Sequence, residues 1–167
     1  MKLKSILLLL GFVTSTLVQA GGWPETTAEQ REVALTYNHL LNIQQVEQAM
    51  ALVDENVRFS DPTWGVHNQN KTHLATAYSS MSGSYHNMQF DIRKVSSSKG
   101  TLVIHMIGSA DVDLSPDASA DQRVHLFADF IRVLEVKDGK IVRHLDLSDY
   151  DKFMPSLMPS TGDSSGQ

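Results

Sequence analysis

The stretch from Gln122 to Val136 constrains the fold most. It is β-rich and apolar on both alternate rows, and Lys137-Asp138-Gly139-Lys140 joins it to a second such run, Ile141 to Asp149. Side chains alternate across a strand, so Val124, Leu126, Ala128, Phe130 and Leu134 form one row, and Phe127, Ile131 and Val133 the other. An Asp-Gly pair between two such runs signals a tight hairpin, because that turn needs residues that tolerate positive φ. Met88 to Val95 and Thr101 to Leu114 form another pair, joined by Ser96-Ser97-Ser98-Lys99-Gly100. The second half of the chain therefore reads as an antiparallel meander.

The first half reads as helices. Thr26-Thr27-Ala28-Glu29-Gln30 offers two overlapping capping boxes, and Val33, Tyr37, Leu40 and Leu41 then share one helical face. Ile43, Val46, Ala49, Met50 and Val53 repeat the pattern in a second helix, which ends near Asp54-Glu55-Asn56. Val57 to Asp61 alternates as a short strand, with Val57, Phe59 and Asp61 on one side. After a loop with Pro62 and Gly65, Asn70 caps a third helix whose Leu74, Ala77, Tyr78 and Met81 share a face. Helices followed by a meander predict an α+β domain with helices on one face of a curved sheet. That leaves the second row of the long strand exposed unless something covers it. The expected cover is a second copy, giving a homodimer through the sheet.

Residues 1–20 stand apart from this pattern. Lys2 and Lys4 precede an apolar core from Ile6 to Val13, and Val18-Gln19-Ala20 offers small residues for cleavage after Ala20. A membrane anchor is the alternative, but the apolar run is short for a bilayer and broken by Thr14, Ser15 and Thr16. A cleavable signal predicts a secreted or periplasmic protein with no membrane attachment after processing. The remainder reads as one domain, residues 21–154, and a flexible tail, residues 155–167, rich in Ser and Gly. Lys2 and Lys4 leave with the signal, so 14 basic residues become 12 against 19 acidic ones, a formal charge of −7. An acidic chain without a basic run argues against nucleic acid as a partner. The absence of cysteine excludes disulfides, thiolate chemistry and a lipid-modified N-terminal cysteine.

Several polar residues sit where an apolar hollow would receive them. Asp61 shares a strand face with Val57 and Phe59, where desolvation would raise its pKa and make it a proton acceptor; alternatively it caps the turn at Pro62 and Thr63. Asp129 lies mid-strand in the row of His125, Phe127, Ile131 and Val133, where a carboxylate must be neutral, paired or facing a cavity. If that row faces inward, Asp129, His125, Phe127 and Ile131 line a ligand pocket together with Phe59. An ion pair with Arg132 or Arg143 is the alternative for Asp129. His144 and Asp146 share a face of the last strand, as a base with its orienting group or as a solvated pair. Tyr37 sits at core spacing, but a buried hydroxyl needs a partner. Trp64 and His67 either touch a ligand at the mouth or anchor the loop. The chain has no H-x-x-x-H or H-E-x-x-H spacing, no glycine-rich phosphate loop and no G-x-S-x-G, so neither a metal site nor a cofactor is expected.

Three segments carry a family resemblance. They are Tyr37 through Asp61-Pro62 to Asn70, then Asp129-Phe130-Ile131-Arg132-Val133, and the hairpin Lys137-Asp138-Gly139-Lys140-Ile141 with its continuation to His144-Leu145-Asp146. Over most of residues 27–153 the chain resembles SnoaL-like and ketosteroid-isomerase-like members of the NTF2-like superfamily. The resemblance implies an α+β cone, three N-terminal helices packed on a curved antiparallel sheet that encloses a pocket. It implies proton transfer next to a carbonyl on a small hydrophobic molecule, without cofactor, as in isomerisation or aldol-type cyclisation. The general base falls on Asp61, or alternatively on Asp146 with His144. Tyr37 and a protonated Asp129 take the places that bind the developing enolate oxygen. The epoxide-hydrolase type of relative carries an Arg two residues before the strand acid, a position held here by Phe127. A non-catalytic binding or dimerisation module of the same fold is the rival expectation.

Overall fold

The computed structural model describes residues 25–113, 115, 119 and 122–149; the expected signal (1–20) and tail (155–167) lie outside them. Helix α1 spans Ala28–Asn42 and begins with the second of the two capping boxes. The Thr27 hydroxyl accepts from Gln30 N at 3.1 Å, and the Gln30 side chain accepts from Thr27 N at 3.0 Å. Thr26 is left to accept from Gly100 N at 3.2 Å, which ties the start of α1 to a distant turn. The buried face of α1 carries Ala34, Tyr37, Asn38 and Leu41.

Helix α2, Val46–Ala51, is shorter than its apolar pattern suggests. The expected helix runs on to Val53, but Val53 opens strand β1, Val53–Asp61. Tertiary pairing decides this: β1 lies parallel to the last strand, with Val53 opposite Ile141 and Phe59 opposite His144. A short 3-10 turn, Pro62–Trp64, and Gly65 at φ 70° then reverse the chain into strand β2, Val66–Gln69. The sequence suggests only a loop there, because four residues of mostly polar character carry little strand signal. Helix α3, Lys71–Ser84, follows, capped by Asn70 through His73 N at 3.0 Å. Among the described residues two helices, not three, therefore precede the sheet, since β1 and β2 come before α3.

The meander follows as β3 (Tyr85–Ser98), β4 (Thr101–Val112), β5 (Val124–Lys137) and β6 (Lys140–Ser148). The six strands form one sheet in the order β2-β1-β6-β5-β4-β3. All neighbours are antiparallel except β1 and β6. The expected hairpins form at Lys99-Gly100 and Asp138-Gly139, all four residues having positive φ. The helices cover one face, and their core with Val57, Phe59, Leu102, Ile104, Met106 and Leu134 is almost fully buried.

Strand parity then decides which polar groups enter the core. On β5 the row of Leu126, Ala128, Phe130, Arg132 and Leu134 faces the helices. On β6 a register shift opposite Glu135 and Val136 lets buried Ile141 be followed by buried His144 and Asp146. Without that irregularity the alternation would send His144 to the face opposite Ile141.

Candidate functional site

The concave face holds a hollow of about 420 Å³. Aromatic and aliphatic walls come from Phe59, Trp64, Phe90 and Phe130, together with Met81 and Met88. Gly108 makes room for two of these rings, because a Cβ there would lie 2.9 Å from Phe130 and 3.1 Å from Phe90. The polar groups that reach the hollow include Asp61, Tyr78, Arg132 and Asp146.

Arg132 and Asp146 face each other across β5 and β6 and form the centre of a buried network. Arg132 Nε donates to Asp146 Oδ1 at 2.8 Å, and Nη2 donates to Oδ2 at 3.3 Å. Nη2 also donates to the Tyr78 hydroxyl at 2.7 Å, while Nη1 reaches Asn38 Oδ1 at 2.8 Å and Asn42 Oδ1 at 3.4 Å. The guanidinium N–H groups are thereby spent. The Tyr78 hydroxyl donates in turn to Asp146 Oδ2. Burial alone would raise the Asp146 pKa. The Arg132 charge, with His144 and the hydrogen bonds donated by His144 and Arg132, overcomes it and holds the carboxyl far below the usual carboxylate range.

His144 completes the network from behind. It is fully buried, and burial pushes its pKa down, so the ring is neutral. The Tyr37 hydroxyl lies 2.7 Å from Nδ1, and Nε2 lies 3.0 Å from Asp146 Oδ1. Asp146 is ionised and can only accept, so Nε2 carries the proton and Nδ1 accepts from Tyr37. Phe59 meets the ring edge-on at 5.3 Å. Both ring nitrogens are occupied, which leaves His144 as a positioning group for Asp146.

Asp61 differs from every other group at this end. It closes β1, and its Oδ1 is buried without a hydrogen-bond partner among the described residues. Burial raises its pKa to about 6, and the Asp146 charge pushes the same way. The backbone N–H groups of Trp64 and Thr63 pull in the opposite direction. The carboxylate reaches the hollow, and it makes no side-chain capping hydrogen bond to the Pro62–Trp64 turn.

The structure brings Tyr37, Asp61, His144 and Asp146 to one side of the sheet, with Phe59 and Trp64 on the walls of the hollow. It corrects the placement of Asp129, His125, Phe127 and Ile131. Odd-numbered positions of β5 face away from the helices, so Phe127 is 60 % exposed and Ile131 is exposed as well. On that outer face Asp129 pairs with His105 at 2.6 Å, and His125 pairs with Asp111 at 2.6 Å. His67, on β2, is exposed and does not line the hollow. Tyr37 is buried beneath the network and does not line it either. Sequence reasoning missed Arg132, Tyr78, Asn38 and Asn42 as parts of the site. The available signal was Arg132 itself, a cation in an otherwise apolar row that must find a buried acid. Among the described residues no group of three or more His, Cys, Asp or Glu side chains could hold a metal ion.

This architecture has many solved counterparts. An LEH-like epoxide hydrolase from M. tuberculosis is 16% identical, with a TM-score of 0.60 over 78% of this chain and 90% of that one. A SnoaL-like protein from Shewanella denitrificans OS-217 is 12% identical, with a TM-score of 0.68 over 78% and 98%. A protein of ketosteroid isomerase-like fold from Catenulispora acidiphila DSM 44928, in complex with trimethylamine, is 11% identical, with a TM-score of 0.63 over 77% and 94%. Identities this low establish shared fold and nothing finer. None of the curated proteins matches the chain. Residues 34–144, however, match the SnoaL-like domain, and this stretch takes in Tyr37, Asp61, Tyr78, Arg132 and His144. The chain belongs to the SnoaL-like domain family.

Proposed function

We propose that this protein is a cofactor-independent acid–base enzyme that moves a proton next to a carbonyl on a small, mostly apolar ligand. Asp61 is the base. The single observation that supports this is its buried Oδ1, which lacks a partner among the described residues while the carboxylate lines an apolar hollow. Leaving a buried acceptor unsatisfied is costly, and an incoming acidic proton removes that cost. A pKa of about 6 suits the task, because a base poised near the working pH combines the ionised form with useful proton affinity. Asp146 and His144, the alternative base, are poorer candidates because their hydrogen-bonding capacity is already used.

The test is solvent-deuterium exchange at the carbon next to the carbonyl of 1-tetralone. The wild-type rate should rise with pH and level off above about 6, while Asp61→Asn should exchange at the buffer rate. An Asp61→Asn variant that keeps the wild-type rate would remove Asp61 as the base.

A second reading, a non-catalytic binding module, draws support from the Arg132–Asp146 network, which satisfies itself without any ligand. Wild-type protein that binds 1-tetralone without exchange would favour it. Epoxide opening has less support, because Asp146 is held too acidic to activate water well.

We further propose export directed by residues 1–20, with cleavage after Ala20, and a homodimer formed through the outer face of the sheet. Exposed Val103, Phe127, Ile131 and Leu147 on that face support the dimer. Sedimentation should give twice the monomer mass for wild type and a monomer for Phe127→Asp. A monomeric wild type would overturn the proposal.

A further inference from the structure

An enolate that forms at Asp61 needs a hydrogen-bond donor for its oxygen, and the expected donors are not available. The Tyr37 hydroxyl already donates a hydrogen bond to His144, Asp129 lies on the outer face, the Tyr78 hydroxyl donates to Asp146, and Arg132 is spent. Asn42 is different. It is the last residue of α1, it lines the hollow together with Asp61, and its carboxamide has a fixed direction. Arg132 Nη1 donates to Asn42 Oδ1 at 3.4 Å, and a guanidinium has no acceptor, so the amide cannot be reversed. Nδ2 therefore points away from Arg132. Its contact there is Met106 Sδ at 3.9 Å, a weak acceptor that leaves most of the donor capacity of the –NH₂ group in hand.

We propose that Asn42 Nδ2 binds the ligand oxygen on which negative charge develops. This rests on Asp61 as the base and defines the ligand class: a carbonyl compound with an acidic C–H beside the carbonyl. In the step, Asp61 takes the proton from carbon, and the C–H electron pair becomes the new C=C bond. The carbonyl π pair moves onto oxygen, where Asn42 donates to it. Return of the proton from Asp61 to a carbon of the enolate regenerates the carboxylate. Arg132, bonded to the amide oxygen, keeps that oxygen occupied and fixes which end of the amide is free to donate. Such a preset dipole needs no reorganisation as charge appears. Tyr85 also borders the hollow, but no hydrogen bond to another described residue fixes the direction of its hydroxyl.

The test uses 2-naphthol, whose naphtholate mimics an enolate oxygen, and naphthalene, which has the same shape without the oxygen. Affinities for both are measured above the pKa of naphthol for wild type, Asn42→Ala, Asn42→Ser, Tyr85→Phe and Asp61→Asn, each checked for folding by circular dichroism. Loss of a hydrogen bond to a charged group should weaken naphtholate binding roughly 10- to 100-fold in both Asn42 variants, with naphthalene affinity unchanged. Asp61→Asn should bind naphtholate more tightly, because a nearby negative charge is gone. An unchanged naphtholate-to-naphthalene ratio in the Asn42 variants, or a loss confined to Tyr85→Phe, overturns the assignment of Asn42 alone. Retained deuterium exchange in Asp61→Asn overturns the base and the inference with it.

Discussion

The charge on Asp61 should make the working form of this protein less stable. Its pKa rises from 3.8 unfolded to about 6 folded. The native state then binds its proton more tightly than the unfolded chain does, so the stability it contributes is present below pH 3.8 and lost as pH rises through about 6. The gap between the two values corresponds to about 3 kcal/mol. Asp61 is only half-buried, and solvent screening reduces this to about 1–2 kcal/mol. Asp61→Asn removes the charge and keeps the shape. It should be more stable than wild type by about 1–2 kcal/mol at about pH 8, with the difference shrinking as pH falls from about 6 toward about 4. The assay is urea unfolding of both proteins across this range, with equal denaturant slopes as the control. Asp146 contributes with the opposite sign, since its depressed pKa gives stability that is lost on acidification, but it does so in both proteins and cancels in the difference. Parallel stability curves from about pH 4 to about pH 8 would refute the desolvation of Asp61 and remove the physical basis for its role as a base.

Arg132→Met leaves the Asp146 carboxylate buried without its cation and should cost about 3–5 kcal/mol in urea unfolding, with the loss smaller in acid where Asp146 takes a proton. Tyr37→Phe strands the Nδ1 acceptor of His144 and should cost about 1–3 kcal/mol while deuterium exchange persists; Asp129→Asn, on the outer face, should leave the exchange rate unchanged. Gly108→Ala forces Phe90 and Phe130 to shift and should destabilise the fold by about 1–3 kcal/mol, weakening the binding of 2-naphthol more than that of phenol.

The helical starts and the hairpins were legible because their causes are local. Thr27 with Gln30, Asn70 with the backbone of His73, and Asp138 with Gly139 act within a few residues, and each forms as the sequence predicts. Strand β2 was not legible because its four mostly polar residues carry little strand signal, and the early start of β1 was not because it depends on pairing with β6, distant in the chain. The site divides in the same way. Asp61 could be placed beside the hollow because it follows Val57 and Phe59 in alternation. The inward choice between the two rows of β5 could not be made locally, because apolar residues occupy both, and the helices that settle it come from the other half of the chain.

Sequence alone therefore determined the alternation that puts Arg132 and Asp129 on opposite faces of one strand, since residues an odd number apart along a regular strand cannot share a face. Only the tertiary structure decided which of the two is buried. It did so by packing the helices over the even-numbered row, where Asp146, Tyr78 and Asn38 supply the hydrogen bonds that a buried guanidinium requires. A buried charge is tolerated only where partners converge, and convergence is a property of the folded chain.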